Sequence, residues 1–207
     1  QGGKMFGVLV VVDQHDRPGV LWGFAGMIQG KRNWPGFVPS ACDQAAYDIL
    51  WRTEGARVEA LNAEIEAATG KERAALIEQQ QGYSQALLPK LQDTYRLRNA
   101  RGDTRTLEAL FSPRPIPGGA GDCAAPKLLQ YAHQHGLRPV ALAEFWWGDP
   151  TPAGGRHHGV FYPACRGRCA KILPFMLEGI ECEPPPAYGN HGVLDDAPTT
   201  VFEDEDL

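Results

Sequence analysis

Nowhere in the 207 residues is there a run of about 18 apolar side chains, so no stretch reads as a membrane-spanning helix. The N-terminus lacks a basic region followed by an apolar one, which argues against secretion and makes the expected compartment the cytoplasm. Cysteine is sparse and odd in number, at five, which excludes a fully paired disulfide framework and favours reduced thiols. Basic residues are missing from Ile172 to Leu207, where nine acids stand. All 20 Lys and Arg therefore lie in residues 1–171, with 16 of the 25 acids, giving a mildly basic body and an acidic tail. That balance permits a polyanionic partner without demanding one.

What is present is enough for one cored domain, with 43% hydrophobic and 22% charged residues. The opening Gln1-Gly2-Gly3 carries no initiator Met, so the chain is expected to lie inside a longer protein. MFGVLVVVD (5–13) and VLWGFAGMI (20–28) are apolar, β-rich runs around a Pro-Gly turn and predict an antiparallel hairpin covered on both faces. Gly23 and Gly26 are expected to let another backbone approach closely.

From Asp43, a plausible N-cap, apolar residues recur at steps of three and four: Tyr47, Leu50, Val58, Leu61, Ile65 and Ala68, with a polar gap at Glu54. Thr69-Gly70 stops this helix, and Leu76, Tyr83, Leu87, Leu91 and Tyr95 predict a second one reaching about Arg101 with a kink at Pro89. Residues 43–101 thus read as an antiparallel helical-hairpin insertion whose charges face water. Its alternative roles are an arm that meets RNA through Arg96, Arg98, Arg101 and Arg105, or a surface for a homodimer.

After a Pro/Gly connector, a helix is predicted from Cys123 to about His135, then a strand over Arg138–Trp147, a short extended entry at Val160–Ala164, and a helix from Cys165 to Gly179. The order predicts an α/β domain over 1–180, a three-layer sandwich with its strands in one sheet, followed by an acidic Pro-containing linker over 181–207.

Two of these helices open on cysteine. A helix N-terminus favours the thiolate, the form a metal needs. Two helix starts flanking one strand can converge on one rim of a sheet, bringing Cys123 to Cys165 and Cys169. Zinc takes such ligands, and His158 in the Arg-His-His-Gly loop is a candidate fourth, with His157 beside it. The alternative is three buried thiols acting as small hydrophobes. Cys42 and Cys182 read as structural.

This arrangement resembles the zinc deaminase fold, in which one ligand heads a helix and two more head the next helix after a strand. That pattern places a glutamate two residues after the first ligand as proton shuttle. Here the position holds Ala125, and the spacing of Glu144 gives no support for a substitute, so a structural metal is the expectation.

The segments GKMFGVLVV (3–11), GFVPS (36–40), GDCAAPKLLQYAHQHGLRPVALAEFWWG (121–148) and YPACRGRCAKILPFMLEG (162–179) together resemble the N-terminal region of long RluA-type RNA pseudouridine synthases. TTVFEDEDL (199–207) is similar to the opening strand of that family's catalytic domain, whereas Cys42 stands where the family more often has an apolar residue. The RLD-type catalytic motif is absent, Asp103 lying in a Gly-Asp-Thr context, so the resemblance implies no catalytic residue here. It implies a non-catalytic accessory domain, joined in cis to a synthase domain that isomerises uridine in structured rRNA or tRNA without an organic cofactor.

Overall fold

The computed structural model describes residues 2–151 and 155–183; the expected linker from 184 onward, and TTVFEDEDL with it, lie outside the described residues. The chain is a mixed α/β protein with two small antiparallel sheets. β1 (Lys4–Val12) and β2 (Pro18–Phe24) form the predicted hairpin, with Phe6 opposite Phe24 and Val12 opposite Pro18. β5 (Arg138–Trp147) pairs with the other edge of β1, giving the order β2-β1-β5 and a register shift between Val10 and Val11. The stretch after Gly159 adds no full strand. Phe161 bridges Phe145, and the Tyr162 N–H donates to the Glu144 carbonyl at 2.9 Å, so this stretch lines the free edge of β5.

Burial alternates along β1: Met5, Gly7, Leu9 and Val11 point inward, as a period of two requires. They meet α5 (Ala124–Gln134), whose inner face is Ala124, Ala125, Leu128, Leu129 and Ala132. Contact is close because β1 and β2 offer glycine beneath the helix. A Cβ on Gly7 would stand 2.9 Å from the Ala124 Cβ, and one on Gly23 would stand 3.0 Å from the Leu128 Cγ. Gly23 thus does what its sequence position suggests, and so does Gly26, which at φ +67° brings its N–H to the Asp122 carbonyl at 2.8 Å, though a Cβ there would meet open space. α6 (Cys169–Met176) packs on α5 and contributes Ile172, Phe175 and Met176 to the same core.

The hairpin is not covered on both faces as expected. On its outer side Val20 is 53% and Trp22 39% exposed. Only the Phe6 end is sheltered, where Phe37 of the 25–43 loop meets Phe6 and Phe24 at 5.9 and 5.3 Å between ring centres.

Asp43 caps α1 (Gln44–Leu50), its carboxylate accepting the Ala46 N–H at 3.0 Å. The polar gap at Glu54 corresponds to a π-helical turn, Trp51–Gly55, after which α2 (Ala56–Ala67) continues. One wide turn inserts a residue and moves the apolar stripe, which is why the periodicity breaks there. α3 (Gly70–Gln92) returns antiparallel to α2.

The expected helix to Arg101 ends early. With Pro89 in its last turn α3 stops at Gln92, and Thr94 Oγ1 donates to the Leu91 carbonyl at 2.7 Å. β3 (Arg96–Arg98) and β4 (Thr104–Thr106) follow as a small hairpin, with Leu97 buried between two exposed arginines. α4 (Leu107–Phe111) then leads into the connector, held against the core by Leu107 and Phe111. Among the described residues no helix is long and apolar enough to cross a membrane.

Candidate metal centre

Cys123 is the N-cap residue of α5, Cys169 is the first residue of α6, and Cys165 lies one turn before it. Because β5 lies between α5 and α6 in sequence and α6 packs back on α5, the two helix starts come to one rim. Their sulfurs all lie within 4.8 Å of one another, with Cys123 to Cys165 at 3.8 Å and Cys165 to Cys169 at 3.6 Å. These separations are far beyond the ~2.05 Å of a disulfide. They match a tetrahedral ion with metal–sulfur bonds of ~2.3 Å, whose sulfurs sit roughly 3.8 Å apart.

The thiols are electrostatically coupled. Cys165 is pushed well below the usual thiol range, first by its hydrogen bonds with Cys123 and Cys169 and then by the backbone N–H of Cys169 at 3.5 Å. Cys123 is pushed up to about 12 through its bond to Cys165, and Cys169 is raised by its bonds to Cys123 and Cys165. The shared hydrogen bonds thus favour ionisation at Cys165 over the other two, and a divalent cation bound here would take the sulfurs as thiolates and release thiol protons. Cys123 and Cys169 are buried and Cys165 is half-buried, so the group is reached from the Cys165 side.

His158 is not part of this group. Its Nδ1 accepts the Gly148 N–H at 3.0 Å and its ring lies 4.2 Å from Trp147. Cys42 belongs to a different cluster, and Cys182 is exposed. The four arginines offered as RNA contacts lie beyond the helical hairpin, on β3, β4 and their turn. Arg96 is tied to Asp93, Arg105 lies 4.7 Å over the Phe175 ring, Arg98 is exposed, and Arg101 packs against Gly179.

Three groups around the thiols, Glu144 and Lys127 buried and Asp122 half-buried, have partners that sequence reasoning did not find. Glu144 of β5 accepts the Ala125 N–H at 3.1 Å, so its carboxylate meets the first turn of α5. Burial raises it to about 7, against that hydrogen bond. Asp122 anchors the turn before Cys123. Its Oδ1 receives Arg32 Nη2 at 3.0 Å and the Tyr95 hydroxyl at 2.6 Å, and its carbonyl accepts the Gly26 N–H at 2.8 Å. Lys127, one turn into α5, donates to the Phe24 and Gly26 carbonyls at 3.0 Å each. Each of these bonds joins positions well apart in the chain; the local hint, a charged residue inside an apolar run, exists for Lys127 and Glu144 alone.

Burial lowers Lys127 to about 8, outweighing the pull of Asp122. Its neutral amine still has two N–H groups for two carbonyls. Between about 8 and the ordinary 10.5 the unfolded chain holds more protons, so stability rises with pH across that window. Urea titrations of wild type and Lys127→Met are expected to diverge by roughly 3 kcal/mol in favour of wild type between those limits. A constant gap would show that Lys127 is not held below its ordinary range.

No family model, no curated protein and no solved structure matches this chain.

Proposed function

We propose that this chain is a zinc-pinned, non-catalytic RNA-handling domain of the kind that precedes the catalytic domain in long RluA-type pseudouridine synthases. The observation that carries the reading is the meeting of Cys123, Cys165 and Cys169 at metal-binding distances. The two segments that most resemble the family, 121–148 and 162–179, are the ones that supply these thiols. The metal's role is to tie the start of α6 to the start of α5, closing the rim beside β5. With three thiolates zinc is the fitting ion, being tetrahedral and redox-inert. A mildly basic body suits a partner rich in phosphate, and the attached synthase domain would carry out the isomerisation. The deaminase-like sandwich belongs to the same reading: the helix-strand-helix order and the thiol placement agree with it.

The test is a binding titration of the metal-loaded chain with a fluorescein-labelled RNA stem-loop. Expected are weak binding at low salt, loss of affinity as salt rises, and no pseudouridine formed by the chain alone. No binding at about 50 mM salt would remove the RNA role.

A second reading, a zinc hydrolase acting on a nucleobase, has one observation in its favour. Glu144 places a buried carboxylate on the Ala125 N–H, beside the position where a deaminase carries its shuttle. Release of ammonia from cytidine or adenosine by the zinc-loaded chain, abolished by Glu144→Gln, would make this the better account.

A further inference from the structure

We propose that the rim around Cys165 is a docking surface for single-stranded RNA, with Arg156, Arg166, Arg168 and Lys171 contacting its phosphates. This rests on the RNA-handling reading but assigns the contacts to residues other than Arg96, Arg98, Arg101 and Arg105.

Charge is the first observation. From Pro150 through Leu177 the chain has no Asp or Glu, yet it carries these four cations together with His157 and His158. Arg166, Arg168 and Lys171 are exposed, and Arg156 is half-buried. Among the described residues none of the four has a carboxylate within 4.0 Å, whereas Arg17, Arg57, Lys90 and Arg96 are each paired to an acid. Glu144 acts on Arg156 only at longer range. A cation already paired gains little from a phosphate; an unpaired one gains the whole contact.

Placement is the second. Arg166 and Arg168 fill the turn between Cys165 and Cys169, so an ion on those thiols fixes the backbone at both ends of the turn. Lys171 follows two residues into α6. Arg168 reaches over Gly119, where a Cβ would stand 3.5 Å from its Cζ. On the other side Arg156 lies over Trp146 at 5.4 Å and Tyr162 at 5.7 Å. With an ion on those thiols the backbone that carries these cations would be fixed before the partner arrives, which lowers the ordering cost of binding.

The aromatics decide between an acidic peptide and a nucleic acid. Trp146, Trp147 and Phe161 are partly exposed at the end of β5 beside this loop, the two tryptophans on opposite faces of the strand, with Arg156 over one side of Trp146 and the His158 ring against Trp147. A carboxylate chain has no use for these faces. Unpaired bases stack on them, and guanidinium forks suit phosphate oxygens.

The experiment is fluorescence anisotropy of the zinc-loaded chain with a labelled single-stranded RNA of about twelve nucleotides, across a salt series. Arg166→Ser/Arg168→Ser is expected to raise Kd about tenfold and to flatten the log–log salt slope by about 1.4, at ~0.7 per phosphate. Arg166→Lys/Arg168→Lys keeps the slope. Should the serine pair disturb the ligand turn, seen as lost zinc, Arg156→Ser/Lys171→Ser lies outside it and must show the same weakening. Unchanged binding in the rim variants with loss in Arg96→Ser/Arg105→Ser overturns the rim and leaves the RNA reading standing. Absence of single-strand binding by wild type overturns the rim, and absence of binding to the stem-loop as well overturns the RNA reading with it. A polyglutamate of equal charge that displaces the protein as well as RNA does overturns the nucleic-acid assignment.

Discussion

Cys169→Ser is expected to abolish metal binding and to leave the chain largely unfolded at 25 °C. Cys169 is fully buried at the first residue of α6, 3.6 Å from Cys165, and α6 supplies Ile172, Phe175 and Met176 to the core. Cysteine-rich structural zinc contributes on the order of 10 kcal/mol to folding, comparable with the whole net stability of a domain. A serine hydroxyl cannot replace a thiolate, so the variant keeps the entropic cost of closing the rim and loses the bond that offsets it. Cys123→Ser should behave alike, and a strong chelator should unfold wild type. Cys42→Ser and Cys182→Ser should keep their metal. Far-UV circular dichroism with elemental analysis reads all four. If the thiols were only small hydrophobes, Cys169→Ser would cost about 1–2 kcal/mol and a chelator would change nothing.

Asp122→Ala is expected to cost about 3–5 kcal/mol in urea unfolding, the second largest effect. Arg32 is held under the loop by Ser40, Tyr95 and Asp122 and stacks 3.9 Å from the Tyr47 ring. Burial opposes its charge, but Asp122 and Tyr95 outweigh that and hold it ionised. Its Nε is buried without a partner among the described residues, so the carboxylate is its chief compensation. Removing that carboxylate strands a cation. It also frees the Tyr95 hydroxyl, which burial and Asp122 keep protonated. Replacing both partners, as Arg32→Met/Asp122→Leu, should recover much of the loss, because the desolvated charge is then gone. A single Asp122→Ala cost below about 1 kcal/mol would show that the pair is solvated. Since Asp122 precedes the first thiol, the variant should also bind metal more weakly.

Much of the scaffold could be read from local pattern. The β-branched run of β1, the Pro-Gly turn and the Gly136 stop after α5 are short-range signals, and the elements follow them. So is Asp43, whose side chain caps α1. The β3–β4 hairpin was hidden because Arg-Leu-Arg and Thr-Arg-Thr carry one buried side chain, Leu97, too little periodicity to compete with the helix before it. The open outer face of β2 was equally hidden, since an apolar run does not state whether a partner exists.

The site divides the same way. Two cysteines four residues apart at a helix start, and a third at another helix start, could be paired from element order alone. The partners of that site could not. Arg32 meets Asp122 across 90 positions and Glu144 meets Ala125 across 19, and neither contact leaves a spacing signal. The proposed rim was legible as composition, in the absence of acids from 150 to 177, but its arrangement around Cys165 needed the fold.

The central claim is that three thiols hold one ion. Elemental analysis of the purified chain, washed with a weak chelator and confirmed folded, measures it. The account predicts one zinc per chain. A folded protein with less than a tenth of an ion per chain would contradict it.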